Sequence, residues 1–257
     1  MNKSIKKTLA KYENFEGTFE NAFIGVPAGL GGLTRDYFGS YDEFHRLYPD
    51  FQSDKKVPTV LYMHGSSGLY TGDLYRHYIV EEVGAIFFAP NSHQIKDRPT
   101  YRSPATQKEY RRVHKIRVAE ISYNLKRLKK LNGVDNNNIF LMGNSEGGLA
   151  AAIYKSKEFA GRIVTAFSCE SSYFYTNFTL GSPKSEPFLN ILGTHDQFFS
   201  KKTLLNRRYK IEGHGIDSLK KYHHAKIVIL SNTQHDITVN PYVKDEIVSF
   251  LKMWIRE

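Results

Sequence analysis

Residues 139–153, Ile139-Phe140-Leu141-Met142-Gly143-Asn144-Ser145-Glu146-Gly147-Gly148-Leu149-Ala150-Ala151-Ala152-Ile153, change character at their centre. The first four are apolar strand formers, whereas Leu149 to Ala152 are strong helix formers. Between them lies a serine flanked by glycines. A serine that must stand exposed on a strained turn needs neighbours without Cβ atoms, so that the backbone can pass close to strand and helix. A helix starting directly behind such a turn adds free N–H groups and partial positive charge. The G-x-S-x-G pattern is weak by itself, because a glycine-rich turn with an incidental serine reads the same way. The surrounding elements decide.

Outward from this stretch, short β-branched and aromatic runs recur at 59–63, 85–89, 163–167, 188–192 and 227–230. They alternate with helical patterns, which predicts an α/β fold with a mostly parallel central sheet and helices on both faces. Their near-continuous apolarity predicts burial on both sides. Gln107 to Leu131 reads as an amphipathic helix carrying Val118, Ile121, Leu125 and Leu128 on one face and ending at Asn132-Gly133. The last helix starts with Asn240 as N-cap and Pro241 at its first position, and aligns Val243, Ile247, Phe250, Leu251 and Trp254. Residues 1–56 read as an N-terminal extension in which Gly17 to Val26 supplies one or two antiparallel edge strands and Pro27 to Gly32 a turn. Residues 57–257 read as the core, and with no repeat, linker or second core the expectation is one domain over 1–257.

Composition narrows the function classes. The 257 residues hold 36 Lys+Arg against 26 Asp+Glu, 40% apolar residues, 17 Phe and 17 Tyr, enough apolar surface to exclude disorder as the main state. The one cysteine, Cys169, excludes an internal disulfide and a thiolate metal cage. No run approaches the ~18–20 apolar residues of a membrane span. Met1 to Lys7 is basic, but Lys11, Glu13 and Glu16 come too soon after it for an apolar run to form, so no signal peptide is expected. That places the chain in the cytoplasm, or in the periplasm or outside if a leader has been removed. Eight Lys/Arg crowd 96–117, from Lys96 and Arg98 to Arg117. This reads as a solvated helix face rather than a nucleic-acid groove, with one or two arginines at a site mouth as the narrower option. No metal or cofactor is expected, since neither a His-x-x-x-His helix with a carboxylate nor a dinucleotide fingerprint in a βαβ unit occurs.

Three further segments belong at the carboxyl edge of such a sheet, where open α/β sheets place their sites. His64-Gly65-Ser66-Ser67-Gly68 follows the 59–63 strand. Acyl transfer needs two preorganised donors for an oxyanion; the N–H groups of Glu146 and Ser66 are the candidates, with Ser67 close behind, while His64 holds the loop. Gly193-Thr194-His195-Asp196 follows the 188–192 strand, and Ser231 to Asp236 follows the 227–230 strand. The order Ser145, Asp196, His235 is that of a nucleophile, acid and base on an α/β-hydrolase sheet. His235 would take the serine proton and Asp196 fix the imidazole tautomer. Glu170 and Asp236 are alternative acids. His195, His214, His223 and His224 lie outside the loop between the last strand and last helix and read as surface or packing groups.

These motifs resemble the α/β-hydrolase superfamily and, within it, the dienelactone hydrolase family, over about residues 57–256. The likeness rests on His64 to Gly68, Gly143 to Gly148, Gly193 to Asp196 and Gln234 to Asp236, and on Ala89-Pro90-Asn91-Ser92-His93 through Arg98-Pro99. The best-known members of that family use cysteine as nucleophile; this chain has serine, which points to serine esterases on the same scaffold. The resemblance implies an α/β-hydrolase fold and a carboxylesterase acting on a small-molecule ester through an acyl-enzyme. A serine peptidase of the prolyl-oligopeptidase type and a non-catalytic or nucleic-acid-binding homologue are the alternatives. Only 20 residues separate Phe167 from Phe188, so no large cap domain is expected. Tyr173, Phe174, Tyr175 and Phe178 in that segment either wall an acyl pocket or seal the core. No oligomeric state follows from the sequence.

Overall fold

The computed structural model describes residues 15–256. Its eight strands are β1 (Phe23–Val26), β2 (Tyr37–Ser40), β3 (Val57–Met63), β4 (Ile86–Ala89), β5 (Val134–Asn144), β6 (Gly161–Thr165), β7 (Phe188–Gly193) and β8 (Ala225–Leu230). They form one sheet in the order β2-β1-β4-β3-β5-β6-β7-β8. From β4 to β8 every neighbouring pair is parallel, while β1 runs antiparallel to both β2 and β4.

Side chains alternate along the central strands, as a two-residue period demands. In β3, Leu61 and Met63 enter one apolar cluster, whereas Val60 and Tyr62 enter the other. Helices α4 (Gln107–Leu128) and α5 (Glu146–Ile153) cover the first face. Helices α3 (Gly72–Val83) and α7 (Pro241–Trp254), the latter following the short α6 (Ile216–Leu219), cover the second. Asn240 caps α7 by accepting from Tyr242 N–H at 3.1 Å, with Pro241 following. Val243, Ile247, Phe250 and Leu251 are buried as the stripe requires.

Four expectations need correction. Gly17 to Glu20 lie in helix α1 (Glu16–Glu20), because Phe15 and Phe19, one turn apart, are both buried. The second antiparallel strand is β2, beyond the Pro27–Gly32 turn, and it leads directly into α2 (Tyr41–Leu47). The long helix stops at Leu128, and Gly133, at φ 80°, instead shapes the turn into β5, its carbonyl accepting from Val57 N–H at 2.8 Å. Finally, β8 is the sheet's outer edge, so Ile229 is 45% exposed and the strand is not buried on both faces. Between β6 and β7 the chain forms loops with no helix or strand of its own.

Candidate active site

Ser145 sits between β5 and α5 at φ 54°, ψ −115°, a conformation a side chain rarely takes. Its N–H donates to Thr165 O at 2.9 Å and its carbonyl accepts from Leu149 N–H at 2.9 Å, which fix the turn from both sides. The glycines are required by close approach. A Cβ on Gly147 would overlap the Met63 carbonyl, and one on Gly143 would overlap the backbone of Gly147. Thr165 Oγ1 donates to Asn144 Oδ1 at 2.9 Å and ties the end of β5 to β6.

The loops after β7 and β8 meet the serine. His235 Nε2 lies 2.9 Å from Ser145 Oγ, and His235 Nδ1 lies 2.7 Å from Asp196 Oδ2. A carboxylate only accepts, so Nδ1 carries the proton and donates, leaving the Nε2 lone pair for the serine hydroxyl. Asp196 is fully buried, and its other oxygen accepts from Phe198 N–H at 2.7 Å and Phe199 N–H at 2.9 Å. Both oxygens are therefore held. The Phe198 ring stands edge-on to the imidazole at 4.8 Å. The acid loop is bonded to the histidine loop through Thr194 N–H to Leu230 O and His195 N–H to Thr233 O, both 3.0 Å.

The competing groups are engaged elsewhere. Glu170 accepts from Glu212 and Gly213 N–H, and Asp236 accepts from Thr238. Asp196 is the one carboxylate bonded to His235 among the described residues. His195, His223 and His224 are exposed. Ser66 is exposed in the tight turn closed by Gly68 N–H to Gly65 O at 3.2 Å, and a Cβ on Gly65 would stand 3.4 Å from Ser145 Cβ. The turn thus lies against the serine. Glu146 opens α5, where first-turn N–H groups have no partner within the helix. His64 is fully buried: its Nδ1–H donates to Gly65 O at 2.6 Å, and its Nε2 accepts from Ser92 N–H at 3.0 Å. Burial, with the Arg117 guanidinium beside it, holds its pKa well below the usual imidazole value, so it stays neutral and structural.

Beneath the turn lies a charged cluster that the sequence did not announce. The Glu146 carboxylate, 1% exposed, meets Arg98 at 2.7 Å and Arg117 at 3.4 Å. Arg117 also meets Glu120 at 2.6 Å and donates to the His64 carbonyl. Of the eight basic residues in 96–117, Arg98 and Arg117 therefore do not belong to a solvated face, because buried carboxylates and a carbonyl hold them. The other six are exposed. A signal was available in Arg117, Glu120 and Asn124 at i, i+3 and i+7, a polar seam within the buried face of α4. Tyr173 and Phe174 are buried against Tyr110 and Phe199, which makes them core-sealing side chains.

No protein-family model matches the sequence, and no curated protein does. Solved structures do match in backbone course. An esterase from the archaeon Pyrobaculum calidifontis superposes with a TM-score of 0.53 at 14% identity, covering 97% of this chain and 91% of that one. A phospholipase/carboxylesterase from Dyadobacter fermentans gives 0.51 at 13% identity, covering 77% and 90%. The chain has the α/β-hydrolase fold. Within that fold, the Ser145 turn, the Asp196 loop and the His235 loop all lie at the carboxyl ends of parallel strands. No described helix is long and apolar enough to cross a membrane.

Proposed function

We propose that this protein is a serine carboxylesterase of the dienelactone hydrolase-like type, acting on small or medium esters, with residues 1–257 working as one domain. The observation that carries the reading is the continuous hydrogen-bonded chain Ser145 Oγ, His235 Nε2, His235 Nδ1, Asp196 Oδ2, with links of 2.9 and 2.7 Å. Ser145 Oγ attacks the ester carbonyl while Nε2 takes its proton, and Asp196 stabilises the imidazolium that results. Negative charge gathers on the former carbonyl oxygen, and the N–H groups of Glu146 and Ser66 receive it. The C–O bond to the alcohol then breaks, Nε2 protonates the leaving oxygen, and an acyl group remains on Ser145. Water, deprotonated by the same nitrogen, attacks that acyl carbon and releases the carboxylic acid. Every proton is accounted for by His235 and water.

The test is covalent labelling with a fluorophosphonate, together with turnover of p-nitrophenyl acetate and of a peptide anilide. Labelling of the wild type, its loss in Ser145→Ala and His235→Ala, and ester turnover well above anilide turnover are expected. An unlabelled, folded wild type would overturn the assignment, and faster anilide cleavage would replace esterase with peptidase.

A further inference from the structure

A groove of about 970 Å³ runs along α4, bounded by residues 153–158 and 175–179. None of its lining residues belongs to the Ser145 site. From Arg111 to Lys129 it follows five helical turns, about 27 Å at 1.5 Å per residue. Its floor is apolar, made by Val118, Leu125, Ile153, Tyr154 and Tyr175. Ser122 and the Tyr154 hydroxyl, 2.9 Å apart, bond across it and join α4 to the end of α5.

Two observations set this groove apart from an ordinary surface furrow. The first is charge. Among the described residues six cations line it, Arg111, Lys115, Lys126, Lys129, Lys155 and Lys157, against the single acid Glu158, which pairs with Lys129 at 2.5 Å. Lys115, Lys126, Lys155 and Lys157 meet no acid among the described residues. The second is His114, which lines the groove near Arg111, is 2% exposed, and has no hydrogen-bond partner on either ring nitrogen among the described residues. A buried imidazole without partners is destabilising, and a ligand able to accept its N–H would offset that cost. Phe174, Tyr175 and Tyr110 pack around the ring and supply no acceptor to it.

A row of cations alone would suit any polyanion, and an apolar floor alone any hydrocarbon. Both together fit a molecule with one of each. We propose that the groove binds a single-chain anionic amphiphile, a long-chain carboxylate, with its head group beside His114 and Lys115 and its tail along the Val118–Leu125 floor. The volume lies within the range of small-molecule sites, ~300–1,000 Å³. The site does not require Ser145 to be a nucleophile, so its test is one of binding.

Titration calorimetry with octanoate, decanoate and dodecanoate below their micelle concentrations, run alongside 1-decanol, poly-glutamate and an oligothymidylate, separates the readings. Affinity should rise about two- to fourfold for each methylene added, since each buries apolar surface. Decanol should bind more weakly than decanoate, and added salt should weaken decanoate alone. Lys115→Gln should lose about two- to fivefold in carboxylate affinity while melting as the wild type does. His114→Phe should weaken the carboxylates more than decanol, and Val118→Glu should abolish carboxylate binding, which separates this groove from the Ser145 site. No carboxylate binding, affinity independent of chain length, or tighter binding of poly-glutamate or the oligothymidylate would overturn the proposal. So would carboxylate binding unchanged in Val118→Glu.

Discussion

Replacing Glu146 with glutamine probes the charged cluster under the serine turn without changing its shape. Its carboxylate is 1% exposed and is shared by Arg98 and Arg117. Glu146→Gln leaves two buried guanidinium groups facing the single carboxylate of Glu120, itself fully buried. Removing one partner of a buried ion pair costs ~3–5 kcal/mol. Glutamine keeps the volume and one accepting oxygen, so the lower end, about 3 kcal/mol, applies. For a chain of this length ~2–4 °C of Tm accompanies each kcal/mol, which puts the expected drop at about 6–12 °C. The assay is thermal unfolding followed by circular dichroism, with p-nitrophenyl acetate turnover measured well below the transition. Because Arg117 joins Glu146 to the His64 carbonyl, slack in the cluster loosens both proposed oxyanion segments, and kcat should fall about tenfold with KM nearly unchanged. Adding Arg98→Met should recover part of the lost Tm, since an apolar isostere replaces half of a buried pair at little cost. A Glu146→Gln protein melting within about 1 °C of the wild type refutes the reasoning, as does a double variant no more stable than the sum of the singles.

Asp196→Asn should keep the Phe198 and Phe199 N–H bonds but present an NH₂ to His235 Nδ1. That moves the imidazole proton to Nε2, and kcat should fall about 10⁴-fold with the fold intact; a loss smaller than tenfold in a p-nitrophenyl acetate assay would dismiss the tautomer argument. His114 is pushed down to about 3 by burial, with Arg117 adding to the effect. Its unfolded-state pKa is ~6.5, so as pH falls below that value the unfolded chain gains a proton that the folded one does not, and stability drops by ~1.4 kcal/mol per unit. Between pH 7.5 and pH 5, urea unfolding should therefore show the wild type losing about 2 kcal/mol more than His114→Phe; equal losses count against a neutral buried imidazole. Gly147→Ala places a Cβ on the Met63 carbonyl oxygen, a backbone atom that cannot swing aside. About 3 kcal/mol or more should be lost in chemical denaturation, and a near-neutral variant would mean that the turn is looser than this contact implies.

The sheet was legible because the parallel strands carry apolar runs of four to six residues bounded by turn residues, too short for helices and rich in β-branched and aromatic side chains. Where that logic lapses, at the edges, the sequence misled. β2 reads Tyr37-Phe38-Gly39-Ser40, too short and mixed to announce a strand, and it is one through pairing with β1. That Ser145, Asp196 and His235 would meet was legible because their order along the chain and the strand before each are both visible. The charged cluster was not, because Arg98, Arg117, Glu120 and Glu146 are scattered over 49 positions and each looks like a surface residue in isolation. The packing of α4 on α5 brings Arg117 and Glu120 to Glu146, and the loop after β4 supplies Arg98.

That cluster also bears on how the serine turn holds its shape. A serine at φ 54°, ψ −115° stores roughly 1–3 kcal/mol of strain, and the next strand end adds Ala166 at φ 51° and Cys169 at φ 53°. Strain of this kind persists only where the surroundings leave the chain no path of lower energy. Here they leave none. Relaxing Ser145 would break its bonds to Thr165 and Leu149 and pull Glu146 out of the grip of Arg98 and Arg117. Each of those losses is comparable to the whole strain. The ion pairs need not add net stability to have this effect. They raise the energy of alternative conformations of residue 146, which carries one proposed oxyanion donor and sits directly after the proposed nucleophile. A buried salt bridge is weak evidence for stability in general, but here it acts as a clamp on one backbone conformation.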